Sequence, residues 1–404
     1  MRIALVTIAY NSTIKSVYDS VPGLKDLSYS EQKKVIDKEI SIWTSGWENA
    51  LIKKGFEVLS IPVNVKPMQL KWAEENNFSS TDIHEITFKQ INEFKPEILW
   101  YNYFDIPLIR KIKSNINSLK LILGWTGGTI VDMTVLKEVD LVLSCAPEAV
   151  VRLRNNGLNA SHLNHAFNPL LLENIDTEKK VDKYNFVFIG QIFRGSDLHR
   201  KRETLLKKLA EEVDITIFSP MYELGSSAVV KSVLKRAGYY MIRPFTVFDS
   251  VKEAINNNLY LKEIMRSKGK NFLPYDPVFK EKINKPVYGT EMYRTINESL
   301  LVLNVHIDSS SEYASNMRLF ETTGVGTCLL TDWKKNINDL FIEDKEVITY
   351  KSDSECVEKA KWLMSNRQKC LEIGKAGQAK TFSKHSYDSR AEDLMAIIEG
   401  EMGE

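Results

Sequence analysis

The strongest chemical pattern in the chain is the run Asn316-Met317-Arg318-Leu319-Phe320-Glu321-Thr322-Thr323-Gly324-Val325-Gly326-Thr327-Cys328-Leu329-Leu330-Thr331-Asp332. It reads as a short helix, a glycine break and a buried strand. Leu319 and Phe320 are apolar and pack, while Arg318 and Glu321 stand three apart and share a helix face. A carboxylate in that place can accept both hydroxyls of a nucleotide ribose, and a neighbouring arginine can pair with a diphosphate in bidentate fashion. The same spacing also describes a plain ion pair on an amphipathic helix, and spacing alone does not separate the two. His162-Leu163-Asn164-His165 has a metal-ligand spacing. With no third ligand nearby, a packing role is expected there. No G-x-G-x-x-G follows the first strand, which argues against a dinucleotide dehydrogenase, and no G-x-x-x-x-G-K-[ST] marks a Walker-type NTPase. H-E-x-x-H and G-x-S-x-G are absent too.

The elements around that run must position it. The first 165 residues alternate short apolar strands with helical stretches. Strands are expected at Arg2–Ile8, Phe56–Ile61, Glu97–Tyr101, Lys120–Gly124 and Asp140–Ser144. Helices are expected around Ile40–Lys54, Ile83–Phe94, Ile106–Ile116 and Val131–Lys137, with another starting at Pro147. Such alternation predicts a parallel sheet covered on both faces. Residues 166–183 break the pattern with Asn168-Pro169 and a charged stretch, and read as a linker. Alternation resumes with a strand Phe186–Gly190, a helix Arg200–Glu212 and a strand Val213–Phe218. Strands Leu300–Val305, Thr327–Thr331 and Glu346–Tyr350 follow, and the last helix spans Ser389–Ile398. Residues 220–285, rich in tyrosine and with a helical segment Phe248–Arg266, read as an insertion. The expected fold is α/β, with two Rossmann-like domains facing across a cleft. Ligands in such sheets bind outside the carboxyl ends of the strands.

The 404 residues fit two domains. Lys+Arg number 54 against 53 Asp+Glu, a net charge of +1, so no basic excess steers the chain to nucleic acid. Hydrophobic residues make up 43% and charged ones 26%, a globular balance that excludes disordered or rod-like architectures. The four cysteines, Cys145, Cys328, Cys356 and Cys370, form no C-x-x-C pair, which speaks for a reducing compartment. No segment is long and apolar enough to span a bilayer, and Met1–Ile8 is too briefly apolar for a signal peptide. A soluble, cytoplasmic protein is expected.

Glu321 followed by Gly326-Thr327, apolar residues and Asp332 resembles the E-A-x-A-x-G-x-P-V-V segment of GT-B glycosyltransferases. The full run more closely resembles the spore-maturation-protein-like branch of group 1 glycosyltransferases, whose pattern is R-x-F-E-x-x-x-x-G-x-x-L-L-T-D. Leu340-Phe341, Glu346–Tyr350, Gly374, Gly377, His385-Ser386-Tyr387 and Arg390 continue the likeness, which covers residues 184–398. The resemblance implies an acceptor domain at 1–165, a linker at 166–183 and a nucleotide-sugar domain at 184–385 carrying the 220–285 insertion. It also implies a C-terminal segment, 386–404, crossing back to the first domain.

By the same resemblance Glu321 binds the donor ribose, with Arg318 at its side. Gly190-Gln191-Ile192-Phe193-Arg194-Gly195 looks like the glycine loop of the donor domain, where Arg194, Arg200 and Arg202 offer cations to a leaving diphosphate. Tyr313, Ser315 and Asn316 are expected to line the donor site, although Tyr313 stands where retaining relatives of this fold carry a sugar-reading Glu. An inverting reaction would need a base in the first domain. Asp19, Asp105 and Asp132, in loops after strands, and His165, at the hinge, are the candidates. Trp125, with Gly127 and Gly128, suggests a sugar-stacking face.

The function implied is metal-independent transfer of a sugar from a nucleotide-sugar to a glycan or lipid-linked acceptor, in polysaccharide biosynthesis at the cell envelope. No cofactor is expected, and peripheral membrane association is compatible with a lipid-linked acceptor. A sugar-nucleotide epimerase of the same fold would need no acceptor. A non-catalytic sugar-binding protein would not need Arg318, Glu321 and the Gly190 loop.

Overall fold

The structure, a computed structural model, describes residues 1–39, 44–127, 133–176, 183–192, 200–224, 226–266, 276–306 and 311–403. The first sheet contains β1 (Arg2–Thr7), β2 (Glu57–Pro62), β3 (Ile98–Tyr101), β4 (Leu121–Thr126), β5 (Leu141–Ser144) and β6 (Ala160–His162). Its order is β2-β1-β3-β4-β5-β6, and every neighbouring pair is parallel. The second contains β7 (Tyr184–Ile189), β8 (Thr216–Phe218), β9 (Ile283–Asn284), β10 (Ser299–Asn304), β11 (Cys328–Asp332) and β12 (Ile348–Tyr350), in the order β12-β11-β10-β7-β8-β9. Two Rossmann-like parallel sheets are thus present, as the strand–helix alternation requires.

Strand alternation splits the first sheet's residues between two cores. On one face Ile3, Leu5, Trp100, Leu123, Trp125 and Leu143 pack with Trp47, Ala50 and Leu51 of helix Ser45–Lys53. The same core holds Tyr387, Ala391, Leu394 and Ile398 of helix Tyr387–Met402. On the other face Ala4, Val6, Leu99, Tyr101 and Ile122 pack with helices Ile83–Phe94 and Ile106–Asn115. The C-terminal helix therefore crosses back and completes the first sheet's core. Lys53 and Lys54 pair with its Asp388 and Glu392 at 2.8 and 2.7 Å. These exposed pairs orient the helix more than they stabilise it.

By compactness the chain divides into Met1–Phe186 with Tyr288–Glu404, and Val187–Val287. In the first unit two chain segments run side by side at the junction. Phe167 N–H donates to the His385 carbonyl at 2.8 Å, and Tyr387 N–H to the Phe167 carbonyl at 3.1 Å. In the same unit, helix Gly289–Asn297 is tied down by Glu39 of helix Tyr29–Glu39, which accepts from the Thr290 amide and hydroxyl, both at 2.9 Å.

Beyond helix Arg200–Glu212, the second unit carries helices Ser226–Ile242, Asp249–Asn257 and Leu259–Arg266 among its described residues. The expected helical segment Phe248–Arg266 is thus two helices, broken at Asn258, whose side chain accepts from the amides of Tyr260 and Leu261. All four cysteines are buried and none is in a disulfide. Among the described residues, no helix is long and apolar enough to cross a membrane.

Candidate functional site

Chemistry gathers at the carboxyl ends of β10, β11 and β12, under helix Met317–Val325. The parallel register sets Asn304 beside Thr331. Asn304 Nδ2 donates to Thr331 Oγ1 at 2.9 Å, and its Oδ1 accepts from Asn316 Nδ2 at 2.9 Å. Asn316 also donates to the Val305 carbonyl, so its side chain is turned into this network and does not cap the helix it precedes. The positive end of that helix is thus left to other partners. Asn336 clamps Ala314 from both sides, accepting from its N–H at 2.6 Å and donating to its carbonyl at 3.1 Å.

Next to this network lies a buried charge cluster. Asp332 Oδ1 accepts from the His306 backbone N–H at 3.0 Å and lies 2.7 Å from its Nδ1. Asp332 Oδ2 is 3.1 Å from Lys334 Nζ, which also donates to the Ser311 carbonyl. Burial alone would raise the Asp332 carboxyl, but His306 and Lys334 outweigh it and hold the group well below the usual carboxylate range. Among the described residues, His306 Nε2 is buried without a hydrogen-bond partner.

Arg318 and Glu321 do form the pair that their spacing predicts, at 2.8 Å. It is not a solvated surface pair, because Glu321 is only 5% exposed. The Tyr293 hydroxyl donates to Glu321 Oε1 over a long 3.4 Å. Burial, and then the Glu321 charge, push the phenols of Tyr293 and Tyr387 well above their ordinary value. Tyr387 in turn stands edge-on to Trp47, with ring centroids 5.2 Å apart. Glu321 thus sits where helix Gly289–Asn297, the C-terminal helix and the first sheet's core converge. Tyr313 and Ser315 flank the approach: Ser315 is buried, and Tyr313 N–H donates to Glu148 Oε1 at 3.0 Å.

The remaining residues singled out from the sequence fall elsewhere. Gly190, in the second unit, directly follows β7 beside Phe188, where a Cβ would come within 2.9 Å of the ring. Arg194 lies outside the described residues. Arg200 opens helix Arg200–Glu212, and only its backbone is described. Arg202 is buried and donates to the Gln191 carbonyl at 2.8 Å, bracing the loop after Gly190.

In the first domain, Asp19 is an exposed helix residue paired with Lys15. Asp105 caps helix Ile106–Asn115, its Oδ1 accepting from the Leu108 amide at 2.8 Å. Its Oδ2 lies 3.7 Å from Nε2 of His84, which is 2.8 Å from the Tyr103 hydroxyl. His165 is desolvated beside Trp125, which, with the Arg390 charge, lowers its pKa to about 3. Strand β4 runs on to Thr126, so Trp125 is a core residue, 5% exposed, with its ring against those of Trp100 and His165. Gly127 is exposed beyond it, while Gly128 and Asp132 lie outside the described residues.

His306, Asp332, Lys334, Asn304 and His84 complete these clusters and were not singled out as functional residues from the sequence. One signal was available for the first of these. A His two residues beyond one apolar strand and an Asp ending the next become neighbours once the strands pair in parallel.

Residues 251–396 match the family model described as glycosyl transferase-like. No curated protein matches the chain. Among solved structures, sucrose-phosphate synthase from Thermosynechococcus elongatus superposes with a TM-score of 0.52 at 10% identity, over 99% of this chain and 98% of that one. A glycosyltransferase from Rickettsia africae gives 0.51 at 11% identity, over 99% and 98%. HepE from Anabaena, solved with UDP and glucose, gives 0.50 at 10% identity, over 99% and 100%. At such identities the likeness is one of fold. The fold is GT-B, and Arg318, Glu321 and Asp332 lie within the stretch that matches the glycosyl transferase-like model.

Proposed function

We propose that this chain transfers a glycosyl group from a nucleotide-sugar to a hydroxyl of a glycan or lipid-linked saccharide. The observation that carries the reading is the buried Arg318–Glu321 pair under the carboxyl ends of β10 and β11, within the glycosyl transferase-like segment. Ion pairs taken out of water are costly, and one kept on a helix beside the strands' carboxyl ends fits a ligand better than it fits stability. Glu321 Oε1, which among the described residues accepts the long Tyr293 contact, is the oxygen for ribose hydroxyls. Arg318 and the uncapped helix start at Met317 suit an anionic phosphate. Arg194 and Arg200 are assigned to the leaving phosphate on the sequence pattern alone. Cationic side chains supply the charge stabilisation in this reading, and no metal or cofactor is invoked.

HepE was solved with UDP and glucose, which favours a uridine nucleotide as the first donor to try. The R-x-F-E run and the Leu329-Leu330-Thr331-Asp332 ending support the spore-maturation-protein-like branch. Of the base candidates Asp105 suits the role best. One of its oxygens is fixed by a helix amide and the other faces His84, whereas Asp19 is tied to a lysine at the surface and His165 is too weak a base.

The test is a thermal-shift screen against UDP, GDP, dTDP, ADP and CMP, followed by product analysis with the stabilising donor. A single nucleotide class should raise the melting temperature by mass action, and donor turnover should depend on an added acceptor. Conversion of donor alone to an epimeric sugar-nucleotide, or no response to any nucleotide, overturns the reading.

A further inference from the structure

Of the large hydrophobic side chains exposed in the described chain, nine lie between residues 230 and 260: Val230, Val233, Leu234, Tyr240, Met241, Phe245, Val247, Phe248 and Tyr260. Their arrangement is regular. In helix Ser226–Ile242, Val230, Val233, Leu234, Ala237, Tyr240 and Met241 are all exposed. At 3.6 residues per turn they fall within an arc of roughly 120°, the width of an apolar stripe that ordinarily faces a core. The helix does have a packed side, but it is a different one: a Cβ at Gly238 would meet the side chain of Ile264 at 3.2 Å. The apolar stripe therefore faces water.

The stripe continues into the next turn, where Phe245, Val247 and Phe248 are 56, 71 and 58% exposed. Charge is equally one-sided. From Leu224 to Phe248 the sequence has no Asp or Glu but has Lys231, Lys235, Arg236 and Arg243. Arg236 lies at the margin of the stripe, its guanidinium 5.8 Å from the Tyr240 ring centroid, and Arg243 is exposed beside Phe245. A contiguous apolar face of this extent marks a partner surface. The acid nearest the turn, Asp249 just beyond Phe248, is paired with Lys252, and apolar side chains with aromatics, flanked by Arg236 and Arg243, complement an anionic lipid headgroup layer over acyl chains.

We propose that helix Ser226–Ile242 and the Arg243–Phe248 turn form a docking surface for an anionic lipid bilayer, with Leu234, Met241, Phe245 and Phe248 entering the interface and Arg236 and Arg243 pairing with phosphate. This inference stands on the surface itself and does not depend on the glycosyl-transfer reading. The experiment is co-sedimentation of the full chain with vesicles of phosphatidylcholine alone and of phosphatidylcholine with phosphatidylglycerol, with light-scattering mass measured in parallel.

Binding should favour the anionic vesicles by roughly tenfold or more and weaken as salt rises. The charge variant Arg236→Glu/Arg243→Glu should lose the anionic preference. The apolar variant Leu234→Ser/Phe245→Ser/Phe248→Ser should lose binding to both vesicles, with the parental melting temperature and nucleotide response. The proposal fails if the parent stays in the supernatant with both vesicles, or if either variant sediments as the parent does. It also fails if the parent is a dimer that the apolar variant dissociates without any vesicle binding to lose, since the surface then joins two copies of the chain.

Discussion

Glu148 holds the backbone of Tyr313. Its Oε1 accepts the N–H of Tyr313 and that of Glu312, each at 3.0 Å, so the first turn of helix Pro147–Asn155 fixes the loop leading into helix Met317–Val325. Its Oε2 is buried with no hydrogen-bond partner among the described residues. Glu148→Ala should cost about 1–2 kcal/mol in urea denaturation, because two amides lose their acceptor, and should raise the donor KM. Glu148→Gln keeps an acceptor oxygen and should recover most of both. Equal losses in the two variants would show that the charge matters and the loop anchor does not.

Burial of Glu321 changes what its substitution should do. In Glu321→Gln the Arg318 guanidinium, largely out of water, loses its counter-charge. Stability should therefore fall by roughly 3 kcal/mol, the scale of a broken buried pair, and nucleotide affinity by roughly tenfold to a hundredfold. Arg318→Met combined with Glu321→Gln should regain stability without regaining affinity. Calorimetric titration with the preferred nucleotide, beside denaturation curves, separates the two effects.

Asp105 both caps a helix and faces His84. Asparagine caps as well as aspartate does, so Asp105→Asn should keep the melting temperature while lowering kcat by roughly 100-fold or more, the contribution of a general base. A steady-state assay with saturating donor and acceptor checks this. Unchanged kcat would move the base elsewhere.

Acid should destabilise the fold through its buried histidines. Burial lowers His385 to about 4, against the Leu340 carbonyl, which pulls the other way, and with the Arg390 charge adding to the shift. Its Nε2 lies 2.9 Å from that carbonyl, and its Nδ1 accepts from Arg390 at 3.1 Å, so the neutral ring is the one the site fits. The folded value is below the unfolded one of about 6.5. The stabilisation is therefore complete above that pH and is lost as pH falls through about 4. The loss from this group is on the order of 3 kcal/mol. His385→Asn should be less stable at neutral pH yet show a flatter decline between these limits in pH-dependent chemical denaturation.

Gly324 belongs to the run that resembles glycosyltransferases, but its reason is steric. A Cβ there would collide with Cγ of Phe167, whose ring lies against the helix at this point. Gly324→Ala should cost about 1–3 kcal/mol through overpacking, and Phe167→Leu in the same chain should recover part of it. Additive losses in the double variant would mean that the two sites do not touch.

What the sequence made legible follows from how local each signal is. Helices Ile83–Phe94 and Arg200–Glu212 were readable to the residue, since Asp82 caps the first and an amphipathic pattern marks the second. Helices Asn11–Ser20, Tyr29–Glu39 and Lys66–Glu75 were not read, because polar composition blurs their apolar faces. Arg318 and Glu321 could be paired from spacing, since one helical turn joins them. Their burial could not, because Tyr293 and Tyr387 arrive from 28 and 66 positions away along the chain. The His306–Asp332 contact likewise exists only once β10 and β11 have found their register. The place of Trp125 turned on two residues of strand length. Ended at Gly124 the strand would leave the ring in a loop, and extended to Thr126 it buries it.

The helix that crosses back sets a timetable for synthesis. Tyr387, Ala391, Leu394 and Ile398 belong to the same core as Ile3, Leu5 and Trp47. A nascent chain that has formed all six strands of the first sheet still lacks the residues that seal one of its faces, and must keep that face covered or tolerated until about 220 further residues have been made. At ~5–20 residues per second this is an interval of roughly 10–45 s. The earliest-made sheet is thus among the last to be finished, and chaperone demand should concentrate on it during translation.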